Sequence, residues 1–210
     1  MVAPTPLVAD CATVVIDETT LLSPISFTIE RGQMWCLSGP NGSGKTTLLR
    51  AFLDHNRLTA GRCLVFGAPA STRDRTQRAS VSALVDPIPI ARDLTIHEQL
   101  LLLVGSWYGN EDRTGQAVSE ILDRLRLAAL THRFPHQVSA GQLQLFNLAL
   151  ALVRPAEIVL LDEPERHLDV AHIGLVKSLL ADRAQQGTAF LVATHEPTLI
   201  EGAHGHVVLG

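Results

Sequence analysis

Gly39-Pro40-Asn41-Gly42-Ser43-Gly44-Lys45-Thr46-Thr47 decides how this chain is read. It fits Gly-x-x-x-x-Gly-Lys-Thr, a phosphate-binding loop pattern. Small residues let successive backbone N–H groups turn inward around a phosphate chain. Gly39, Gly42 and Gly44 allow backbone angles or close approaches that a Cβ would obstruct. Lys45 is suited to place its ammonium between the β- and γ-phosphates of a nucleotide, and Thr46 to offer its hydroxyl to Mg2+. The flanks agree. Residues 34–38 are a short apolar run that reads as a strand, and residues 47–53 have the apolar spacing of a helix packed on one face. Strand, glycine loop and helix put a helix N-terminus beneath the phosphates, where its dipole favours anions.

Upstream, residues 13–16 and 21–29 read as strands, and Arg31-Gly32 turns the chain toward the loop. Downstream, Thr59-Ala60-Gly61 reads as a turn, residues 63–66 as a strand, and residues 71–78 as a solvated loop or short helix. Residues 81–85 are a further strand candidate, closed by Asp86-Pro87-Ile88-Pro89, where two prolines rule out a helix or a central strand. From 94 to 130 the pattern turns helical. Thr95-Ile96-His97-Glu98 looks like a capping box, Gly109-Asn110 is a break, and Val118, Ile121, Leu122, Leu125 and Leu127 form a second stripe. Residues 139–152 read as a helix with Ser139 near its N-cap. Residues 158–161 and 189–193 are strands, 170–186 a helix, and 206–209 a last strand. Strands alternating with helices imply an α/β fold with a largely parallel sheet, and the 94–130 block reads as a helical insertion in it.

The chain has 210 residues and a net charge of −4, enough for one compact domain or a core with one inserted unit. Lys and Arg do not cluster, so no nucleic-acid partner is expected. Mean hydropathy is +0.20. That apolarity suggests either extra surface buried at subunit contacts or simply a core rich in Ala and Leu. Cys11, Cys36 and Cys63 have neither metal-ligand nor redox spacing and read as reduced, mostly buried thiols. No basic region followed by a long apolar stretch marks a signal peptide. The longest apolar run, residues 100–104, is too short to span a bilayer. If the protein serves a membrane, another chain is expected to do the spanning.

Ile158-Val159-Leu160-Leu161-Asp162-Glu163 is an apolar strand tipped by two carboxylates. In open α/β sheets ligands sit at that end of the strands. Asp162 is placed to hold Mg2+ through water, and Glu163 to polarise the water that attacks a γ-phosphate.

With these residues in view, the chain resembles the ATP-binding-cassette (ABC) ATPases over nearly its whole length. Residues 39–47 match Walker A. Val138-Ser139-Ala140-Gly141-Gln142 matches the family's signature, usually Leu-Ser-Gly-Gly-Gln. Leu160-Leu161-Asp162-Glu163-Pro164 matches Walker B with its catalytic glutamate. His167-Leu168-Asp169 matches the D-loop, and Ala193-Thr194-His195-Glu196 the switch-histidine motif. The resemblance implies a P-loop NTPase core (1–86 and 153–210), an N-terminal antiparallel β subdomain, and a helical subdomain (87–152) that includes the signature helix. It implies a head-to-tail homodimer, or a heterodimer with another ABC ATPase, that holds two ATP molecules with Mg2+ between Walker A of one subunit and the signature of the other. Ser139, Ala140, Gly141 and Gln142 would face a γ-phosphate across that interface, and Asp169 would lie in its D-loop. His195 would hydrogen-bond the γ-phosphate and orient the water at Glu163. The implied setting is the cytoplasmic face of a membrane, on an integral-membrane transporter subunit that meets the helical insertion and the loop after Asp86.

The chain also departs from the family. Ile16 and Asp17 stand where an adenine-stacking aromatic is usual, and Asp86 where glutamine is usual. Asp86 is expected near the metal, through a water, or alternatively as a cap for the turn at Pro87. Leu143, Leu145 and Leu150 lie where basic residues are common, and Glu165-Arg166 precedes the D-loop. Two readings stay open: an ATPase that powers a transporter, and a non-transport or degenerate nucleotide-binding subunit that gates a partner with weak hydrolysis.

Overall fold

The computed structural model describes residues 4–85 and 88–210. In chain order the elements are β1 (Leu7–Ile16), β2 (Thr19–Ile29), β3 (Met34–Ser38), α1 (Lys45–Ala51), β4 (Ala60–Val65), β5 (Ala68–Pro69), α2 (Arg75–Ser80), β6 (Val81–Leu84), α3 (Ile96–Tyr108), α4 (Glu111–Arg124), α5 (Ala140–Leu152), β7 (Ile158–Asp162), α6 (Val170–Gln185), β8 (Ala189–Ala193), α7 (Pro197–Glu201) and β9 (Gly205–Val208). The fold is α/β, as expected.

The central sheet has the order β6-β7-β8-β3-β9, and its pairs are parallel. Parallel neighbours need crossover connections, and the helices supply them. β7 and β8 are apolar and buried on both faces, as such strands must be when helices cover the sheet. Alternation divides their side chains. Ile158, Leu160, Leu191 and Leu37 face Leu48 and Leu49 of α1 and the antiparallel sheet. Val159, Leu161, Phe190 and Val192 face α5, α6 and the helical block. Each such side chain contributes roughly 1.5–3 kcal/mol on full burial.

The second sheet, β2-β1-β4-β5, is antiparallel. Here the structure corrects the sequence reading. β1 begins at Leu7, six residues before the expected start, because a bulge interrupts its alternation. Cys11 has φ 47° and Gly61 φ 76°, and the β1–β4 register shifts between Asp10 and Thr13. Gly61 is therefore not a turn residue but part of β4, set against the bulge. Pro24 is tolerated in β2 because that strand lies at the sheet edge. Cys36 and Cys63 are buried, which pushes their thiols up to about 12, whereas Cys11 is exposed.

The helix boundaries follow their caps. Thr95 and Glu98 form a reciprocal capping box on α3, Gly109 ends that helix at φ 58°, and Asn110 caps α4. Asp74 caps α2, so the 71–78 segment ends in a short helix. The five-residue α7, which sequence periodicity cannot detect, starts at Pro197 under a Glu196 cap.

A Cβ at Gly61 would lie 2.0 Å from the Cys11 carbonyl oxygen, whereas one at Gly67, also at positive φ, would meet nothing. Gly67→Ala is expected to cost roughly 1–2 kcal/mol, the left-handed penalty alone. Gly61→Ala should cost clearly more. Urea unfolding of the two variants checks this; equal losses would show that the bulge yields freely.

Candidate functional site

The glycine loop leaves β3 and enters α1, with Gly39 at φ 139°, Gly42 at 85° and Gly44 at 95°. Two of these glycines also answer to space. A Cβ at Gly39 would lie 2.1 Å from the Leu209 oxygen, and one at Gly44 2.4 Å from the Leu21 oxygen. At Gly42 only the backbone angle applies. Pro40 and Asn41 are exposed at the loop's crest. Ser43 keeps an enclosed hydroxyl with no hydrogen-bond partner among the described residues, a group suited to a phosphate oxygen. Lys45 is buried, and its ammonium donates to the Gly39 oxygen at 2.7 Å and the Pro40 oxygen at 3.1 Å. The charge thus stands inside the loop it serves.

Thr46 donates its hydroxyl to Asp162 Oδ2 at 2.5 Å. The bond joins the first turn of α1 to the tip of β7. Both atoms are hard oxygen donors, the chemistry Mg2+ selects. Among the described residues no three His, Cys, Asp or Glu side chains gather as a metal cluster. A Mg2+ site here would draw on few protein oxygens, as is usual beside a nucleotide's phosphates. Burial pushes the Asp162 carboxyl above its ordinary 3.8; the Thr46 hydroxyl opposes the shift and the Glu163 charge adds to it.

Glu163 follows at φ 48°, an uncommon angle for a side chain of this kind. Its N–H donates to the Ala193 oxygen at 2.8 Å, where β8 ends. Lys45, Thr46, Thr47, Asp162 and Glu163 line one cavity of about 810 Å3 together with Asn41, Gly42 and Gly44. His195 is not in its lining. It is exposed just beyond β8, two residues after the Ala193 whose oxygen accepts from the Glu163 N–H.

The signature residues divide. Ser139 and Gln142 form a capping box on α5, which satisfies the helix cap the sequence suggested. Ala140 lines the cavity. Gly141 abuts the His167 carbonyl oxygen, which a Cβ would approach to 2.8 Å. Asp169 caps α6 and accepts from the His172 N–H at 2.9 Å and its Nδ1 at 2.8 Å, bonds that hold its carboxyl below the usual range. Asp86 lies outside the described residues.

Sequence reasoning missed other groups. Gln144 donates to the Glu163 and Pro164 oxygens, both at 3.2 Å, and lines the cavity with Asn147 and Arg166. Only the period of α5 from Ala140 hinted that position 144 shares its face. The unusual leucines have a packing reason. Leu145 and Leu150 are buried in the core cluster, away from the cavity lining, while Leu143 lines it.

The raised Asp162 carboxyl fixes a sign for stability against pH. The folded state binds the proton more tightly than the unfolded chain. Ionised Asp162 therefore costs stability, and the cost grows as pH rises from 3.8 through the folded value. Asp162→Asn keeps the acceptor for Thr46 and should raise the nucleotide-free melting temperature at neutral pH. The gap to wild type should close on acidification. A gap that does not change with pH would show that ionisation of Asp162 carries no such penalty.

The family model described as ABC transporter matches residues 22–166. A model described as an AAA domain, putative AbiEii toxin of a type IV toxin–antitoxin system, matches residues 133–201. A probable metal transport system ATP-binding protein of Chlamydia muridarum is 31% identical over 201 residues, covering 92% of this chain and 75% of that protein. An Fe(3+) ions import ATP-binding protein of Haemophilus influenzae is 30% identical, covering 86% and 52%. A mycobactin import ATP-binding/permease protein of Mycolicibacterium smegmatis is 32% identical, covering 88% and 33%, so this chain spans a third of its length. The solved structure of an ATP-binding subunit of an ABC transporter superposes with a TM-score of 0.86 at 22% identity, covering 98% of this chain and 86% of that one. A dimeric bacterial ABC transporter cassette gives 0.84 at 23%, covering 97% and 94%. At those identities the structures speak for the fold alone. The family model covers most of the chain, and the Chlamydia relative is 31% identical over 92% of this chain and 75% of its own length: this chain belongs to the ATP-binding-cassette family of ABC transporters.

Proposed function

We propose that the chain binds ATP with Mg2+ and hydrolyses it, as the ATPase subunit that drives a membrane transporter by ATP-dependent head-to-tail dimerisation. The observation that carries this is the meeting of Lys45, Thr46, Asp162 and Glu163 around one cavity, with Thr46 and Asp162 already hydrogen-bonded. In this reading residues 39–47 wrap the phosphates, and the Lys45 ammonium leaves its loop carbonyls for phosphate oxygens. Thr46 and Asp162 hold the cation, with Asp86 assisting through a water. Mg2+ held by these residues would supply positive charge that offsets the charge of the phosphate oxygens. Glu163 takes the proton of the attacking water as general base, and His195 orients that water and the γ-phosphate. Ser139, Ala140, Gly141 and Gln142 act on the ATP of the second subunit, and Asp169 lies in the contact between subunits.

Transport coupling draws on a second feature. A groove of about 530 Å3 lies between the core and the helical block, lined by Ile88, Pro89, Leu102, Leu103 and Leu150. Residues 87–152 are taken as a unit that meets an integral-membrane partner there, against a core of 1–86 and 153–210. No helix among the described residues is long and apolar enough to cross a membrane. The reading therefore gives the spanning to a separate chain and places this one on the cytoplasmic face.

Lys45→Ala should weaken ATP binding by roughly 10- to 150-fold, since a charge-assisted hydrogen bond is worth about 1.5–3 kcal/mol. Titration with a fluorescent ATP analogue measures it, and unchanged affinity overturns the site. Glu163→Gln keeps the shape but cannot act as a base. Hydrolysis should stall while ATP still joins two copies, so size-exclusion chromatography with ATP and Mg2+ should show a dimer. Wild-type turnover in this variant would remove Glu163 from the catalytic role.

A further inference from the structure

Glu165 stands between the carboxylate pair and the D-loop, where the sequence departs from its family. Its Oε1 accepts two hydrogen bonds from the loop after β8: the Thr194 hydroxyl at 2.6 Å and the His195 N–H at 3.0 Å. Thr194 is fully buried, and its hydroxyl oxygen also accepts from the Glu196 N–H at 3.0 Å. Glu196 in turn caps α7 by accepting from the Thr198 N–H at 3.2 Å. One carboxylate oxygen thus holds the Thr194 side chain and the His195 N–H directly, and the Glu196 N–H through the Thr194 hydroxyl. Oε2 is enclosed and has no partner among the described residues, so the attachment rests on Oε1.

The other end of the bridge is equally fixed. The Glu163 N–H is held by the Ala193 oxygen, and the Arg166 N–H donates to the Glu163 oxygen at 3.1 Å. Glu163 and His195 therefore sit on two strand ends joined by a backbone bond on one side and by the Glu165 side chain on the other. The His195 imidazole is exposed and has no hydrogen bond among the described residues. Its direction depends on the backbone it leaves from.

We propose that Glu165 is a positioning residue for His195, fixing the imidazole relative to Glu163 through its bonds to Thr194 and the His195 N–H. This rests on the ATPase reading above. A glutamine at 165 would present an amide oxygen to the same two donors, so the role needs the acceptor and not the charge.

Steady-state ATP hydrolysis by the whole chain, with Mg2+, tests this. Glu165→Ala should lower kcat about tenfold or more with KM for ATP within about threefold, the pattern of an interaction used in the transition state. Glu165→Gln should return kcat to within about threefold of wild type. In a His195→Ala background, read in single turnover, Glu165→Ala should cost no more than about twofold further, because residues acting through one another are not additive. If Glu165→Ala does not fold, Thr194→Val removes one donor and should lower kcat with KM held. Wild-type kcat in whichever of these two variants folds, equal losses in the Ala and Gln variants, or a full additional loss on top of His195→Ala would overturn the assignment. A wild-type chain that turns over no ATP overturns the ATPase reading and this inference together. A wild type that needs Lys45 and His195 but tolerates Glu165→Ala overturns this inference alone.

Discussion

The hydrogen bond between Thr46 and Asp162 can form only if much else is already in place. Asp162 is the first polar side chain after four buried apolar residues of β7, and it emerges where the sheet ends. β7 holds that position because β6 and β8 flank it in parallel register, with Asp162 opposite Ala193. Thr46 arrives from the other side because Leu48 and Leu49 of α1 pack on Leu160 and Leu191. The short glycine loop then has no slack: Gly39 and Gly44 lie so close to neighbouring backbone that no Cβ fits. Hydrophobic burial sets the frame to within hydrogen-bonding tolerance, and the polar contact reports that it has closed.

Local rules made much of this legible. The strand–loop–helix at 34–53, the apolar strands at 158 and 189, the Thr95 capping box and the Ser139 N-cap depend on residues within a few positions of one another. What escaped depends on distance. The first half of β1 was hidden because Cys11 breaks the alternation in a bulge completed by Gly61, fifty residues away. Gly61 has the same local signature in a turn and in a bulge. Glu165 could be seen as unusual, but not that it reaches Thr194 and His195 across the ends of two strands. Gln144 was overlooked because its partners are backbone oxygens, which leave no mark in the sequence.

The leucines of α5 show how one observation changes meaning once packing is known. As sequence, Leu145 and Leu150 look like lost charges and favour a weakened ATPase. In the fold they are buried beside Leu148 and Leu152, in a helix whose apolar surface runs nearly all the way round. A basic residue at 145 would need a buried partner or would have to unpack the core. At these two positions the substitution is a matter of core composition, whereas the third leucine, Leu143, lines the cavity. Leu150 keeps a further consequence, because it lines the groove beside Ile88 and Pro89 and makes that surface apolar.

Gly141 links the two ends of the proposed catalytic apparatus within one chain. Its motif suggests a role toward a second subunit, but its own backbone already meets the His167 oxygen. His167 has φ 64° and belongs to the turn that begins at Glu163, itself at φ 48°. One turn further along α5, Gln144 donates to the Glu163 and Pro164 oxygens of that same turn. The signature helix therefore grips the Glu163 segment at two successive levels, once by close backbone contact and once by side-chain hydrogen bonds. A displacement of α5 against the sheet must either drag the Glu163 turn, with its two left-handed residues, or break those contacts. The contacts that tie Gly141 and Gln144 to the Glu163 turn all lie within one chain.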